Sequence, residues 1–142
     1  MRMNLYRKTE MHPDDGGPRT EKKLPVSTFT KGRIGEDRAV VFLLEANFNI
    51  IGRNYRGPLG EIDIIALDGD VLVFVEVKSW NTYTSENLEY GINKKKQRKI
   101  VETAKFFIQE HRKYKELAVR FDVVFVDTEN ITHITAAFTE SL

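Results

Sequence analysis

The sequence of 142 residues is 41% hydrophobic and 30% charged, with a net charge of +1 and no cysteine. This size and composition are typical of one soluble domain that can build its own core. The near-neutral balance excludes a molecule that is basic all over, so any nucleic-acid site must come from local clustering. Disulfides and thiolate metal sites are also excluded, which favours the cytoplasm, and no apolar run is long enough to span a membrane.

The first 26 residues are predicted to form a disordered tail, and residues 27–142 a single domain. The tail is polar, contains three prolines and two glycines, and shows no apolar period, so it cannot contribute a packed face. It also lacks the apolar segment of a secretory signal.

A first helix is predicted from a serine or threonine cap within residues 27–30 to about Asn47. Four apolar residues form its inward face: Val40, Leu43, Leu44 and Ala46. Glu36, four residues before Val40, extends that face. On its own it is also explained as a solvated acidic residue near the start of a helix.

Five strands and a second helix are predicted downstream, from apolar alternation and turn signals. The strands cover about 49–55, 60–67, 71–79, 119–127 and 131–138, and the helix covers about 93–114 with Asn93 as its cap. Residues 81–93 are expected to form a polar loop, and Asp122 to pair with Arg120 or cap the sheet edge. A three-strand meander followed by a helical crossover implies an α/β domain, a mixed β-sheet with flanking helices in the order α-β-β-β-α-β-β.

The stretch GEIDIIALDGDVLVFVEVKSW, residues 60–80, predicts a hairpin with charged residues in buried strands. Asp68-Gly69 is a strong two-residue turn signal. Because side chains alternate along a strand, the resulting register places four charged residues on one face: Glu61, Asp63, Glu76 and Lys78. Glu61 falls opposite Glu76, and Asp63 and Glu76 become diagonal neighbours about 7–8 Å apart at Cα. The other face is expected to be wholly apolar, including Ile62 and Ile64.

Two carboxylates at this spacing favour Mg²⁺ or Mn²⁺, with the remaining positions left to water and phosphate oxygens. Such an ion polarises a phosphoryl group and generates hydroxide from water. Asp63 and Glu76 are the predicted ligands, with the backbone carbonyl of Val77 as a further one. Lys78 is placed to orient the water or to stabilise charge on the phosphate. The alternative is a buried salt-bridge cluster without catalysis, in which Lys78 neutralises Glu76 or Asp63.

Five basic residues in the six positions 94–99 open the second helix. A helix N-terminus already favours anions, so added lysines suit phosphate binding more than helix stability. The predicted nucleic-acid contacts are Arg53, Arg56, Lys94, Lys95, Lys96, Arg98 and Lys99. Trp80 and Tyr83 are expected to stack on unpaired bases or to anchor their loop. A solvated charged face explains the run equally well.

Together these residues resemble the YraN-like proteins, a widespread bacterial family that looks like a branch of the restriction-endonuclease-like, PD-(D/E)XK nuclease superfamily. The similarity runs from about residue 32 to 125 and rests on GRIGEDRAVVFL, NIIGRNYRGPLGEIDIIA, VFVEVK and RFDVVFV. It implies a restriction-endonuclease-like core. By this resemblance Asp63, Glu76 and Lys78 correspond to the motif's acidic and lysine positions, although Ile62 stands where the motif has proline. Glu36 matches an extra metal ligand of several superfamily members, including archaeal Holliday-junction resolvases.

The sequence therefore predicts a Mg²⁺- or Mn²⁺-dependent nuclease that hydrolyses phosphodiester bonds, with DNA favoured over RNA and branched or otherwise structured DNA among its substrates. A junction-cutting enzyme would need to be a symmetric homodimer. The main alternative is a nucleic-acid-binding module that keeps the nuclease fold and does not cut. A third interpretation is an interaction protein whose buried charges are structural.

Overall fold

The computed structural model describes residues 28–79 and 92–139. In chain order its elements are α1 (Thr28–Glu45), β1 (Asn49–Arg56), β2 (Glu61–Asp68), β3 (Val71–Ser79), α2 (Lys94–Glu110), a short 3-10 helix (Arg112–Tyr114), β4 (Ala118–Val126) and β5 (Ile131–Phe138). The predicted tail, most of the predicted loop at 81–93, and both Trp80 and Tyr83 lie outside the described residues.

The five strands form one sheet in the order β1-β2-β3-β4-β5. Neighbouring strands are antiparallel except β3 and β4, which are parallel and are joined through α2. The mixed sheet and the order α-β-β-β-α-β-β confirm the predicted α/β class. Neither helix in the described part of the chain is both long and apolar enough to cross a membrane.

Both faces of the sheet are covered, so the core has two layers. The α1 layer contains Ala39, Val40, Leu43, Phe48, Ile50, Ile64, Ala66, Val73, Val75, Val124 and Val126. The α2 layer contains Ile62, Ile65, Leu72, Phe74, Ile92, Ile100, Val101, Ala104, Phe107, Phe121, Val123 and Phe125. Two residues of the predicted inward face of α1 are outside the core, because Leu44 is on the flank of the helix with 46% of its surface exposed and Ala46 follows the last helical residue.

α1 ends in a local motif that explains why the helix stops at Glu45. Asn47 adopts the left-handed conformation with φ of 67°, which asparagine tolerates better than most residues. The Asn47 N–H donates to the Leu44 carbonyl at 3.0 Å, and the Phe48 N–H donates to the Leu43 carbonyl at 2.9 Å. This is the Schellman pattern, and its accompanying apolar contact is supplied by Leu43 and Phe48 in the α1 layer.

The β2–β3 turn lies one residue later than predicted. Asp68 pairs with Val71, so Gly69 and Asp70 are the two turn residues. Gly69 has a φ of 59°, a conformation that glycine adopts without steric cost. Relative to the predicted register the pairing shifts by two residues, and an even shift keeps each side chain on the same face of the strand.

The shift changes which charged residues are opposite one another. The β2–β3 ladder ends with the pair Ile64 and Val75. Asp63 and Glu76 are the next residue on each strand, so they are direct neighbours across the end of the ladder and not diagonal ones. The predicted opposition of Glu61 and Glu76 is therefore wrong.

Ile62 does not lie on the predicted apolar face with Ile64, so that part of the prediction is wrong. Asn54 lies within β1 at φ 50°, a left-handed conformation that rotates the strand. Arg53, the residue before Asn54, forms salt bridges with α1. Tyr55, the residue after Asn54, packs in the α2 layer. Ile62 pairs with Tyr55 and lies in the same α2 layer, while Ile64 stays in the α1 layer. Asp63, between the two isoleucines, thus lies where β2 rotates and its side chains stop alternating regularly between the two layers.

Asp122 of β4 is fully buried and joins β4 to β5. Its carboxylate accepts hydrogen bonds from Arg120 Nε at 2.8 Å and from the Ala136 N–H at 3.0 Å, and it lies 2.8 Å from His133 Nε2. Arg120 also forms a salt bridge with Asp68 of β2 at 2.9 Å. The predicted pairing of Asp122 with Arg120 is confirmed.

Candidate active site

A cavity of about 560 Å³ opens at the end of the sheet away from the β2–β3 turn. Its walls come from α1, β2, β3, the first turn of α2 and the segment after β4. The charged side chains that line it are Glu36, Arg38, Glu61, Asp63, Glu76, Lys78, Lys96 and Asp127. The four residues that the sequence predicts as side-chain ligands or catalytic groups therefore meet in one cavity, together with Lys96.

Asp63 is held in the gap that opens where β2 and β3 part. Its carboxylate accepts a hydrogen bond from the Val77 N–H at 2.8 Å, so a side chain occupies a position where the strand ladder has ended. The residue is 9% exposed. Burial raises the pKa of Asp63 to about 8, and the negative charge of Glu76 adds to this effect. The folded chain thus disfavours the Asp63 anion.

Glu76 is 6% exposed and forms a salt bridge with Lys96 from the first turn of α2. Partial burial lowers the pKa of Lys96, but the hydrogen bond and charge of Glu76 outweigh it, so this pKa is above its usual range. A buried salt-bridge cluster without catalysis was expected to have Lys78 as the counter-charge of Glu76 or Asp63. The structure instead assigns the salt bridge on Glu76 to Lys96.

Lys78 follows Glu76 by two residues and also lines the cavity. Burial lowers its pKa, and the positive charge of nearby Lys96 lowers it further. An ammonium group near two carboxylates and a second lysine can donate hydrogen bonds to an oxygen anion brought between them. This position suits the predicted contact with water or phosphate.

Glu36 reaches the cavity from α1, with 19% of its side chain exposed. Burial raises its pKa, a hydrogen bond with Asn54 partly opposes this, and nearby carboxylates add to the rise. Arg53 forms salt bridges with Glu36 at 3.5 Å and with Asp37 at 2.6 Å. Its guanidinium therefore holds β1 against α1, and its predicted contact with phosphate stays a prediction.

The start of α2 presents most of the predicted basic residues to solvent. Asn93 caps the helix as predicted, because its side chain accepts the Lys96 N–H at 2.9 Å. Four residues of the run are exposed: Lys94, Lys95, Arg98 and Lys99. Lys96 points instead to Glu76. On β1, the Arg56 side chain is 82% exposed and lies 3.5 Å from Glu61.

The donors at Asp63 and Glu76 fit a hard divalent cation. Both are oxygen ligands of the kind that Mg²⁺ and Mn²⁺ prefer, and these ions retain several waters. The Asp63 and Glu76 carboxylates repel each other, which contributes to the raised pKa of Asp63. A cation between the two carboxylates would relieve this repulsion. Within residues 28–79 and 92–139, no three His, Asp or Glu side chains are close enough to hold a metal as they stand. Ligation by the Val77 carbonyl stays a prediction.

Two features of the site were not predicted from the sequence. The salt bridge between Lys96 and Glu76 depends on how α2 docks, and a run of similar lysines does not single out one member. Gly35 packs so closely on β3 that an added Cβ would lie 1.9 Å from Ser79 Oγ and 3.2 Å from Ser79 Cβ. The sequence does indicate this contact, because a glycine precedes Glu36 and glycine inside a helix commonly marks close packing.

Comparison with known proteins gives one family. The model of "Uncharacterised protein family UPF0102" matches residues 35–126, a span that includes the cavity residues Glu36, Asp63, Glu76 and Lys78. A UPF0102 protein of Persephonella marina is 42% identical over 111 residues, which cover 78% of this chain and 95% of that protein. A UPF0102 protein of Treponema denticola is 39% identical, over 75% of this chain and 93% of its own.

Among solved structures, "The structure of Pyrococcus Furiosus SfsA in complex with Ca2+" is 16% identical, with a TM-score of 0.28. The match covers 77% of this chain and 62% of that chain. A TM-score this low does not establish a shared fold. The family match and the identities to its members do establish the family: the chain belongs to uncharacterised protein family UPF0102, the YraN-like family that the sequence resembles.

Proposed function

We propose that the protein is a metal-dependent nuclease of the PD-(D/E)XK superfamily that hydrolyses phosphodiester bonds in DNA. The observation that carries the proposal is the pair Asp63 and Glu76, which are 9% and 6% exposed and adjacent at one cavity. Burying two like charges destabilises a fold. A carboxyl group in a cleft whose pKa is strongly raised, as that of Asp63 is, is typical of functional sites.

In this proposal Asp63 and Glu76 hold Mg²⁺ or Mn²⁺, and Glu36 and the Val77 carbonyl are accessory ligands. The bound ion would polarise the phosphoryl group and lower the pKa of a water. Hydrolysis would join the water oxygen to phosphorus and break the bond to the leaving oxygen, and the proton that the attacking water loses balances the one that the leaving oxygen gains. Lys78 orients that water or stabilises the negative charge that develops on the phosphate.

The substrate backbone would lie across the exposed start of α2. Four exposed basic residues supply positive charge there, which attracts phosphates whatever the base sequence: Lys94, Lys95, Arg98 and Lys99. Such contacts suit a nuclease that tolerates sequence. DNA is favoured over RNA, as the family resemblance implies. Branched or structured DNA is the proposed subclass, and cleavage of a junction would require two sites in a symmetric homodimer. The cysteine-free sequence favours the cytoplasm as the place of action.

The test is a cleavage panel of duplex, single-stranded, flap and four-way-junction DNA, with Mg²⁺, with Mn²⁺ and with chelator. We expect metal-dependent cutting by the wild-type protein. Asp63→Asn, which removes one anionic ligand, should reduce the rate by at least about a hundredfold. The matched control is Asp70→Asn, which changes an exposed acid in the turn of the same hairpin and should leave the rate unchanged.

Absence of cutting on every substrate, with equal metal-independent DNA binding by both variants and the wild type, would contradict the proposal. That outcome would favour the second candidate, a non-catalytic nucleic-acid-binding module. The salt bridge between Lys96 and Glu76 supports this candidate, because it supplies a counter-charge to a buried carboxylate without a metal. An interaction protein with structural charges would instead bind neither metal nor DNA, and Lys78→Ala would destabilise it.

A further inference from the structure

Lys96 lies between two cavities. It lines the 560 Å³ cavity that contains Asp63 and Glu76. It also lines a second cavity of about 370 Å³, between the β1–β2 turn and the start of α2, whose other basic residues are Lys95 and Lys99. No other lysine or arginine among those described lines both. A change in the direction of this one side chain would therefore move a positive charge from one cavity to the other.

The backbone of Lys96 is fixed by a hydrogen bond that does not depend on the position of the Lys96 ammonium group. Its N–H donates to the Asn93 side chain at 2.9 Å, and the neighbouring Gln97 side chain donates to the Ile92 carbonyl at 3.1 Å. These bonds anchor the first turn of α2. The Lys96 side chain, 42% exposed, extends from this anchor to Glu76. A flexible stem on a fixed base can reach different partners without moving the helix.

Lys96 contacts Glu76, which is also a ligand of the proposed metal site. Lys96 binds Oε1 of Glu76, and Lys78 already supplies a second positive charge nearby. A divalent cation at Asp63 and Glu76 would compete for this carboxylate and would repel the ammonium group. Cation and Lys96 are therefore alternative counter-charges for Glu76.

We infer that Lys96 is a positioning residue that exchanges between Glu76 in the metal-free protein and a backbone phosphate of bound nucleic acid in the second cavity. The inference rests on the proposed nuclease function. Binding of the cation displaces Lys96 from Glu76, and Lys96 then contacts a phosphate beside those that Lys95 and Lys99 contact. Metal and nucleic acid therefore strengthen each other's binding, because each favours the same position of Lys96.

The first test measures Mn²⁺ binding by calorimetry without nucleic acid. Lys96→Gln should bind Mn²⁺ about tenfold more tightly than the wild type, because a competing charge is gone. Lys95→Gln is the matched control: it removes an exposed lysine that lines the second cavity and leaves Glu76 untouched, so its Mn²⁺ affinity should equal that of the wild type. Lys96→Arg keeps the charge and offers two parallel hydrogen bonds, so it should bind Mn²⁺ more weakly.

The second test measures binding of a short duplex DNA with and without Mn²⁺. The wild type should bind DNA several-fold more tightly with Mn²⁺. Lys95→Gln should weaken both affinities and keep this ratio, whereas Lys96→Gln should reduce the ratio. Thermal unfolding in chelator reports the folded state of each variant. The Lys96→Gln midpoint should fall, because Glu76 loses its counter-charge, and Mn²⁺ should restore it.

The outcomes separate the inference from the nuclease proposal. If the wild type cuts DNA while Lys96→Gln and Lys96→Arg bind Mn²⁺ as the wild type does, the exchange is wrong and the nuclease proposal stands. If the wild type neither binds Mn²⁺ nor cuts, both are wrong. Tighter Mn²⁺ binding in Lys96→Gln, weaker binding in Lys96→Arg and no change in Lys95→Gln would support the exchange.

Discussion

Asp63 is held where a carboxylate anion is unstable, and this makes its protonation part of the folding equilibrium. Burial and the charge of Glu76 raise its pKa to about 8 in the folded chain, against about 3.9 in an unfolded one. The folded state therefore binds a proton more tightly than the unfolded state. The stability that this proton provides is complete at pH values below about 4 and is lost as the pH rises through about 8.

Asp63→Asn should accordingly stabilise the protein in alkaline solution. The amide oxygen can still accept the Val77 N–H, and the variant carries no charge to repel Glu76. With chelator present, we expect the free energy of unfolding of the variant to exceed that of the wild type by about 1–3 kcal/mol at pH 9. The difference should shrink at pH 5. Urea titrations across this range check it, and a constant difference at all pH values would show that ionisation of Asp63 is not its cause.

Part of this site was predictable from single residues and part was not. Period-two alternation places Asp63, Glu76 and Lys78 together whichever of two neighbouring dipeptides forms the turn, because the two registers differ by an even number of residues. The choice of Gly69-Asp70 over Asp68-Gly69 was not predictable, since both are good turn sequences. The rotation of β1 at Asn54 was not predictable either, because it depends on contacts between distant segments.

At the scale of elements, one buried carboxylate adds side-chain contacts to the ladder that pairs β4 with β5. Asp122 receives hydrogen bonds from Arg120 and from the Ala136 N–H of β5, and it contacts His133 of β5. Burial alone would raise its pKa, but the bonds with His133 and Arg120 outweigh it and hold the pKa below the usual aspartate range. The folded state thus favours the Asp122 anion. Its contribution is present above the unfolded pKa of about 4 and is lost as the pH falls through the lower folded value.

Asp122→Asn should therefore loosen β5 and reduce stability at neutral pH. An asparagine cannot accept all these hydrogen bonds, and it leaves Arg120 without its buried counter-charge, so we expect a loss of about 3 kcal/mol at pH 7. The loss should diminish as the pH falls below about 4, because the unfolded wild type then takes up a proton at Asp122 that the folded state does not. Urea unfolding measures this, with Asp70→Asn as an exposed control. Equal stability of Asp122→Asn and the wild type at pH 7 would contradict the assignment.

At the scale of the whole molecule, positive charge is concentrated in one patch at the start of α2. The net charge is only +1, yet four exposed basic residues crowd the start of α2. The sequence predicts this patch, because a run of charges can be counted directly. The order of the elements was predictable for a similar reason: each long apolar segment has one dominant period. The docking of α2 was not, because it is determined by core packing against the sheet.

A local patch should give a modest salt dependence of DNA binding. If Lys94, Lys95, Arg98 and Lys99 each contact a phosphate, a plot of log affinity against log salt has a slope of about −3.6 for duplex DNA. Neutralising Lys95 and Lys99 with glutamine should reduce the magnitude of the slope by about 2. The control is a Lys113→Gln, Lys115→Gln double variant, which removes two exposed lysines elsewhere. Equal slopes for the two double variants would place the DNA on another surface.

The hydrogen bond from the Val77 N–H to Asp63 has a practical consequence. Backbone amides in the middle of a sheet are held by other backbone groups and report little about a nearby site. This amide is held by the carboxylate itself, at 2.8 Å. Its proton resonance and its exchange with solvent deuterium should therefore respond when Asp63 gains a proton or a cation. A nuclear magnetic resonance titration of ¹⁵N-labelled protein would then follow the state of the cavity through a single main-chain signal, with no added probe.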